Sequence, residues 1–145
     1  MQQIDLRGFI KHLETFKVTQ DSEGEGTAIS GAGLSGITFI FDIGETLDTL
    51  SGSDKFELKV QKSITENFSS PVAAVVGDLS NADGELSAAT ILIDDNAEDG
   101  VQHLIHTLID ADYDWYRAII DVTGTHANGT PICISAYRHN FSTVS

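Results

Sequence analysis

Residues 55–63, KFELKVQKS, alternate without a break, with Phe56, Leu58 and Val60 on one side and Glu57, Lys59 and Gln61 on the other. Period two over this length describes a strand with one face on a core and the other in water. Strands of a parallel sheet are covered on both faces and read as continuous apolar runs, so this pattern selects antiparallel pairing. It therefore requires partner strands of a similar kind, and the rest of the chain supplies them. In GLSGITFIFDIG, Ile37, Phe39, Phe41 and Ile43 share a face, with Thr38, Ile40 and Asp42 opposite. TILID and VQHLIHTLI, on either side of the acidic turn DDNAEDG, are rich in β-branched residues and read as two more strands. Val101, Leu104, Ile105 and Leu108 also make a stripe at helical spacing, a rival to the strand reading. PVAAVVGDLS reads as a weaker strand, followed by the loop-like SNADGELSAAT.

Near the C-terminus, Tyr116, Ala118, Ile120 and Val122 form one face of a run, and Ile132, Ile134 and Ala136 form one face of the next. Between them GTHANG supplies Gly124, Asn128 and Gly129, residues that tolerate positive φ, and Pro131 opens the return strand where its missing donor does least harm. The expectation is a β-hairpin with His126 exposed at its tip. At the other end, Asp5 is placed to cap a short helix through Phe9, Ile10 and Leu13, and Thr19 to Gly33 is rich in Ser, Gly and acids, as a linker would be. The reading is a mainly β chain: an antiparallel β-sandwich or barrel-like domain over residues 31–145, preceded by an arm or short helix and an acidic linker over residues 1–30.

With 145 residues the chain is long enough for one self-sufficient core. Its 22 acidic and 8 basic residues give a formal net charge of -14, a field that repels phosphate backbones and anionic lipid heads. Nucleic acid and membrane partners are not expected. No apolar run reaches the length of a membrane helix, and Asp5, Lys11, His12 and Glu14 interrupt the start where a secretion signal needs an apolar core. The lone Cys133 reads as a small hydrophobe in a strand.

Candidate chemistry is thin. Asp21, Glu23, Glu25 and Gly26 match the first half of an EF-hand loop, but Ala32 stands where the closing bidentate carboxylate belongs. Asp94, Asp95, Asn96, Glu98 and Asp99 have the composition of an acidic turn between strands, more readily solvated than metal-binding. His103 and His106 fall on opposite faces if their run is a strand, so they do not chelate together. Motifs for a zinc protease, a nucleophile elbow or a phosphate loop do not occur. Catalytic residues, metal and cofactor are accordingly not expected. Tyr113, Trp115 and Tyr116 have the ring chemistry of a sugar-stacking platform, although Tyr116 faces away from the other two if the strand already begins there.

The run Phe56-Glu-Leu-Lys-Val-Gln-Lys-Ser63, then Trp115-Tyr-Arg117, the apolar Ala118 to Val122, Thr123-Gly-Thr125 and the return strand Ile132 to Ala136 resemble small virion proteins of tailed bacteriophages. In those, a Phe-x-Val-x-Val-Gln-x-Ser strand precedes an aromatic-x-Arg motif, a β-branched strand, a Thr-Gly turn and a final strand. The resemblance spans roughly Gly33 to Tyr137. It departs at Thr65-Glu-Asn67, where the family often has Asp-Asp-Gly, and at Asp110-Ala-Asp112, where it has Gly and a basic residue. The resemblance implies a β-sandwich head protein without an active site: a decoration or cement protein on the outer capsid surface, present in the host cytoplasm before assembly. Its implied partners are the major capsid protein and copies of itself, as a homotrimer. A tail or head-tail connector component, or a carbohydrate-binding adhesion module, are the alternatives.

Five residues are candidates for subunit or capsid contacts. Arg7, Lys11 and Lys17 are the chain's local excess of positive charge; Trp115 and Arg117 belong to the motif. Arg117 alternates out of the Tyr116, Ala118 and Ile120 face and needs a carboxylate, either Asp112, Asp114 or Asp121 in its own segment or one from a neighbouring strand or subunit.

Overall fold

The computed structural model describes residues 10–18, 24–74, 76–77, 90–98 and 100–139. Their strands are β1 (Ile10–Val18), β2 (Gly24–Glu25), β3 (Ile29–Ser30), β4 (Gly36–Ile43), β5 (Lys55–Ser63), β6 (Val72–Ala73), β7 (Val76–Gly77), β8 (Ile91–Ile93), β9 (Gln102–Leu108), β10 (Trp115–Thr123) and β11 (Thr130–His139). They form two antiparallel sheets. The first has five strands in the order β1-β11-β4-β9-β7; the second has six, in the order β2-β10-β5-β6, with β3 also on β10 and β8 also on β5. The two sheets pack face to face as a β-sandwich.

The alternation seen in the sequence becomes the inside and outside of this sandwich. Phe56, Leu58 and Val60 from β5 and Tyr116, Ala118 and Ile120 from β10 are buried against Ile37, Phe39 and Phe41 from β4, Ile105 from β9, and Ile132, Ile134 and Ala136 from β11. VQHLIHTLI is a strand: its Ile105 and Thr107 are buried while Leu108 is exposed, a period of two that the helical stripe lacks. PVAAVVGDLS divides between the layers, since β6 pairs with β5 and β7 with β9. Buried Ala74 lies between them and donates its N–H to the Val60 carbonyl at 3.0 Å.

Three expectations are corrected. Ile10 and Leu13 lie in β1, a strand rather than a helix; Asp5 and Phe9 lie outside the described residues. A helix of one or two turns in water is marginal, whereas β1 gains a ladder along β11 from Ile10↔Tyr137 to Val18↔Thr130, irregular only between His12 and Glu14. Part of the Thr19 to Gly33 stretch is also in the sheets, because β2 and β3 both pair with β10.

The second correction concerns the expected C-terminal hairpin. β10 and β11 do not pair with each other: β10 lies between β5 and β2 or β3 in one sheet, and β11 between β4 and β1 in the other. The turn residues behave as their chemistry allows, with Gly124 at φ 87° and Gly129 at φ 70°, but the connection over residues 124–129 arches from one sheet to the other. The third correction follows from it. His126 is 1% exposed, its ring stacked on Phe56 at a centroid distance of 4.3 Å with Nε2 2.9 Å from the Thr123 carbonyl. An arch crosses the end of the core and carries a side chain into it, where a hairpin tip would point outward.

Candidate functional site

Arg117 alternates onto the outer face of the second sheet and is the centre of a polar seam there. Its Nε and Nη2 donate to one oxygen, Gln61 Oε1, at 3.1 and 2.9 Å. Gln61 is its register partner on β5, so the two side chains face each other across the ladder. On the other flank Nη1 lies 2.9 Å from Glu25 Oε2 of β2. The Phe68 ring covers the guanidinium, with its centroid 4.4 Å from Cζ, and Phe68 is the described non-glycine residue with positive φ, 50°. The carboxylate thus comes from a neighbouring strand, not from Asp112, Asp114 or Asp121. Asp121 is engaged by Lys59, which also reaches Glu57 at 3.0 Å. Burial works against the Lys59 charge, but hydrogen bonds to Asp121 and Glu57 outweigh it and hold the ammonium above its ordinary pKa.

Trp115 is half-buried at the start of β10, opposite Ser30 and Ser63. The three rings are not brought onto one surface. Tyr116 is wholly buried, its Oη accepting the Asp110 N–H at 2.7 Å. The Lys62 ammonium lies 4.4 Å over the Tyr113 ring and 2.6 Å from Asp110 Oδ2, an interaction that lowers the Asp110 pKa. Of the basic candidates, Arg7 lies outside the described residues, and β1 sets Lys11 opposite Ala136 and Lys17 opposite Pro131.

One end of the sandwich is tied by Asp48, Asp54 and Asn96, which lie in loops between strands. Asp48 accepts the Asn128 and Gly129 N–H groups at 3.0 and 2.8 Å and the Asn128 amide at 3.0 Å. Desolvation pushes its pKa up, but these donors, with His126 nearby, take it below the ordinary value. Asp54 accepts the Thr125 N–H at 2.9 Å and the Ser53 hydroxyl at 2.9 Å, and is lowered first by that backbone donor. Asn96, a member of the acidic turn, accepts the Leu50 N–H and donates to the Asp48 carbonyl, each at 2.8 Å. These groups weld loops; among the described residues no three His, Cys, Asp or Glu side chains gather as metal ligands would. A shallow pocket of about 230 Å³ between β4 and β11 is lined by Asp42, Ile43, Gly44, Pro131, Ile132 and Cys133.

On the outer face of the first sheet, Thr38 of β4 joins His106 of β9 and His139 of β11. Its Oγ1 is 3.0 Å from His106 Nδ1 and 2.7 Å from His139 Nε2, and the rings meet edge-on at 5.1 Å. Burial lowers both imidazole pKa values, His106 additionally through the charge of His139. His103 points to the inner face, as its strand position requires, with Nε2 buried and unpaired. Strand alternation separates His103 from His106, but only the sheet order brings His139 beside His106.

No family model and no curated protein matches this chain. Among solved structures it is similar to the crystal structure of the SPBc2 prophage-derived protein YomS, with 15% identity and a TM-score of 0.45 over 87% of this chain and 92% of that one.

Proposed function

We propose that this chain is a non-enzymatic structural protein of a tailed-phage particle, a decoration protein that binds the assembled head from outside as a homotrimer on the major capsid protein. The observation that supports the reading is the meeting of Gln61 and Arg117. Gln61 and Arg117 belong to two of the motifs that carry the resemblance, lie 56 positions apart, and form a two-bond link as register partners. The motif therefore has a physical unit behind it, and its work is to hold strands together. Such a role needs no reaction chemistry: a protein that binds only the assembled lattice stabilises it by mass action. The polar groups gathered on the sandwich pair with one another across strands and loops, as a scaffold's do.

Quantitative mass spectrometry of purified particles tests the proposal. Hundreds of copies per particle are expected for a shell protein. About a dozen or fewer would replace the decoration role with a connector role, and absence from the particle would overturn both.

A further inference from the structure

The cluster of Thr38, His106 and His139 is not used by the proposed shell role. It joins three adjacent strands, β9, β4 and β11, across the outer face of the first sheet. Space for it comes from Gly36, where a Cβ would meet His106 Cε1 at 2.9 Å and Nε2 at 3.2 Å, so any side chain there displaces the ring. A threonine hydroxyl has one proton and two lone pairs. With both rings neutral, one imidazole N–H donates to Oγ1 and the hydroxyl donates to the bare nitrogen of the other ring. One added proton on the donating ring leaves this chain of bonds intact, because it goes to that ring's far nitrogen. A second proton does not: both facing nitrogens then carry hydrogen, so Thr38 accepts with both lone pairs while its own proton loses its acceptor, and two cations stand with ring centroids 5.1 Å apart on a half-buried face.

We infer that Thr38, His106 and His139 form an acid-released latch, closed while at most one ring is charged and opened by protonation of the second. Opening loosens this end of β9 and, with it, the edge rung between His106 and Gly77 of β7. Among the described residues, the titrating and charged groups on the surrounding elements are these. On β11, Tyr137 lies 4.6 Å from the His139 ring and Arg138 alternates to the other face. On β4 the outward Asp42 is four positions from Thr38 and accepts from Gln102 at 2.7 Å. His103 of β9 belongs to the inner face, and β7 offers only Val76 and Gly77. β1 sets Lys11, His12 and Glu14 opposite Ala136, Ser135 and Ile134, three or more positions from His139. Burial, which already disfavours charge on both rings, acts in the same direction.

The test is an NMR titration of the histidine ring protons in the full chain, with amide exchange of β9 measured at each pH and corrected for intrinsic rates. In His139→Gln the midpoint of His106 should rise, because a nearby cation has been removed. Wild-type β9 amides should exchange several-fold faster once both rings are charged, and both His139→Gln and His106→Gln should abolish that acceleration. Thr38→Ser, which keeps the hydroxyl, should retain it, and Thr38→Val should lose the dependence through constitutive opening. An unchanged His106 midpoint in His139→Gln, or equal acid acceleration in wild type and both glutamine variants, would overturn the latch. Should the glutamine variants not fold, equal acid acceleration in Thr38→Ser and Thr38→Val would overturn it as well.

Discussion

Arg117 shows how much of one residue's role can be anticipated from its neighbours. Its alternation out of the core face and the scarcity of positive charge predict a paired arginine, and the pairing is with Gln61, Glu25 and the Phe68 ring. Arg117→Lys keeps the charge but loses the planar fork and the stacking, and should cost about 1–3 kcal/mol in urea unfolding. Glu25 is largely exposed, so Glu25→Gln should cost less than about 1 kcal/mol. A double-mutant cycle with Gln61→Ala should return a coupling of at least about 0.5 kcal/mol; additive effects would mean that the contact contributes nothing. For Asp48 the sign follows from its lowered pKa. The folded state holds fewer protons there than the unfolded chain, so its stabilisation is full above an unfolded value of about 4 and is lost as pH falls through the lower folded value. Asp48→Asn should therefore lower the melting temperature at neutral pH and make it less dependent on pH in the acid range.

At the scale of elements, strand existence is legible because alternation is a local property, whereas strand partnership is not. β5, β4, β9, β10 and β11 are each visible as patterned runs, yet the same two C-terminal runs fit a hairpin as well as an arch between sheets. The arch depends on Gly124, whose φ of 87° brings its α-carbon so close to Ser53 and Asp54 that a side chain has no room. Gly124→Ala should cost about 1–3 kcal/mol in chemical unfolding, and a variant with wild-type stability would show that the loop can rearrange. β1 differs from its expected helix for a related reason: the helical stripe is a local signal, outweighed by a ladder that forms only when β11 is present. Deleting residues 1–18 removes the edge strand β1 and uncovers the longer β11, so the shortened chain should form larger assemblies than the full chain in light-scattering measurements.

For the whole molecule the formal net charge of -14 sets the sign of the surrounding field. Like charges over a compact sandwich repel, and raising salt from about 10 to 150 mM shortens the screening length from about 30 to 8 Å. The melting temperature should therefore rise over that range; a fall would mean that the ion pairs around Lys59, Lys62 and Arg117 outweigh the net repulsion. Under the proposed role, the basic residues Arg7, Lys11 and Lys17 bear on docking to the head. Changing all three to Gln should weaken binding to particles more in low salt than in high salt, and an unchanged affinity would exclude the N-terminal segment as the docking element.

Composition and alternation alone determined a mainly β, acidic chain with a two-faced set of antiparallel strands, because side-chain period and charge are properties of consecutive residues. They also singled out Arg117 and placed His103 and His106 on opposite faces. Only the tertiary structure decided that β10 and β11 belong to different sheets, that His126 is buried at the end of the core, and that Glu25 rather than an aspartate in its own segment meets Arg117. It alone brings His139 to His106 and the arch at residues 124–129 to Asp48 and Asp54. Each of these depends on which strands become neighbours, and sheet order is set by the burial of all the faces together rather than by any one run of residues.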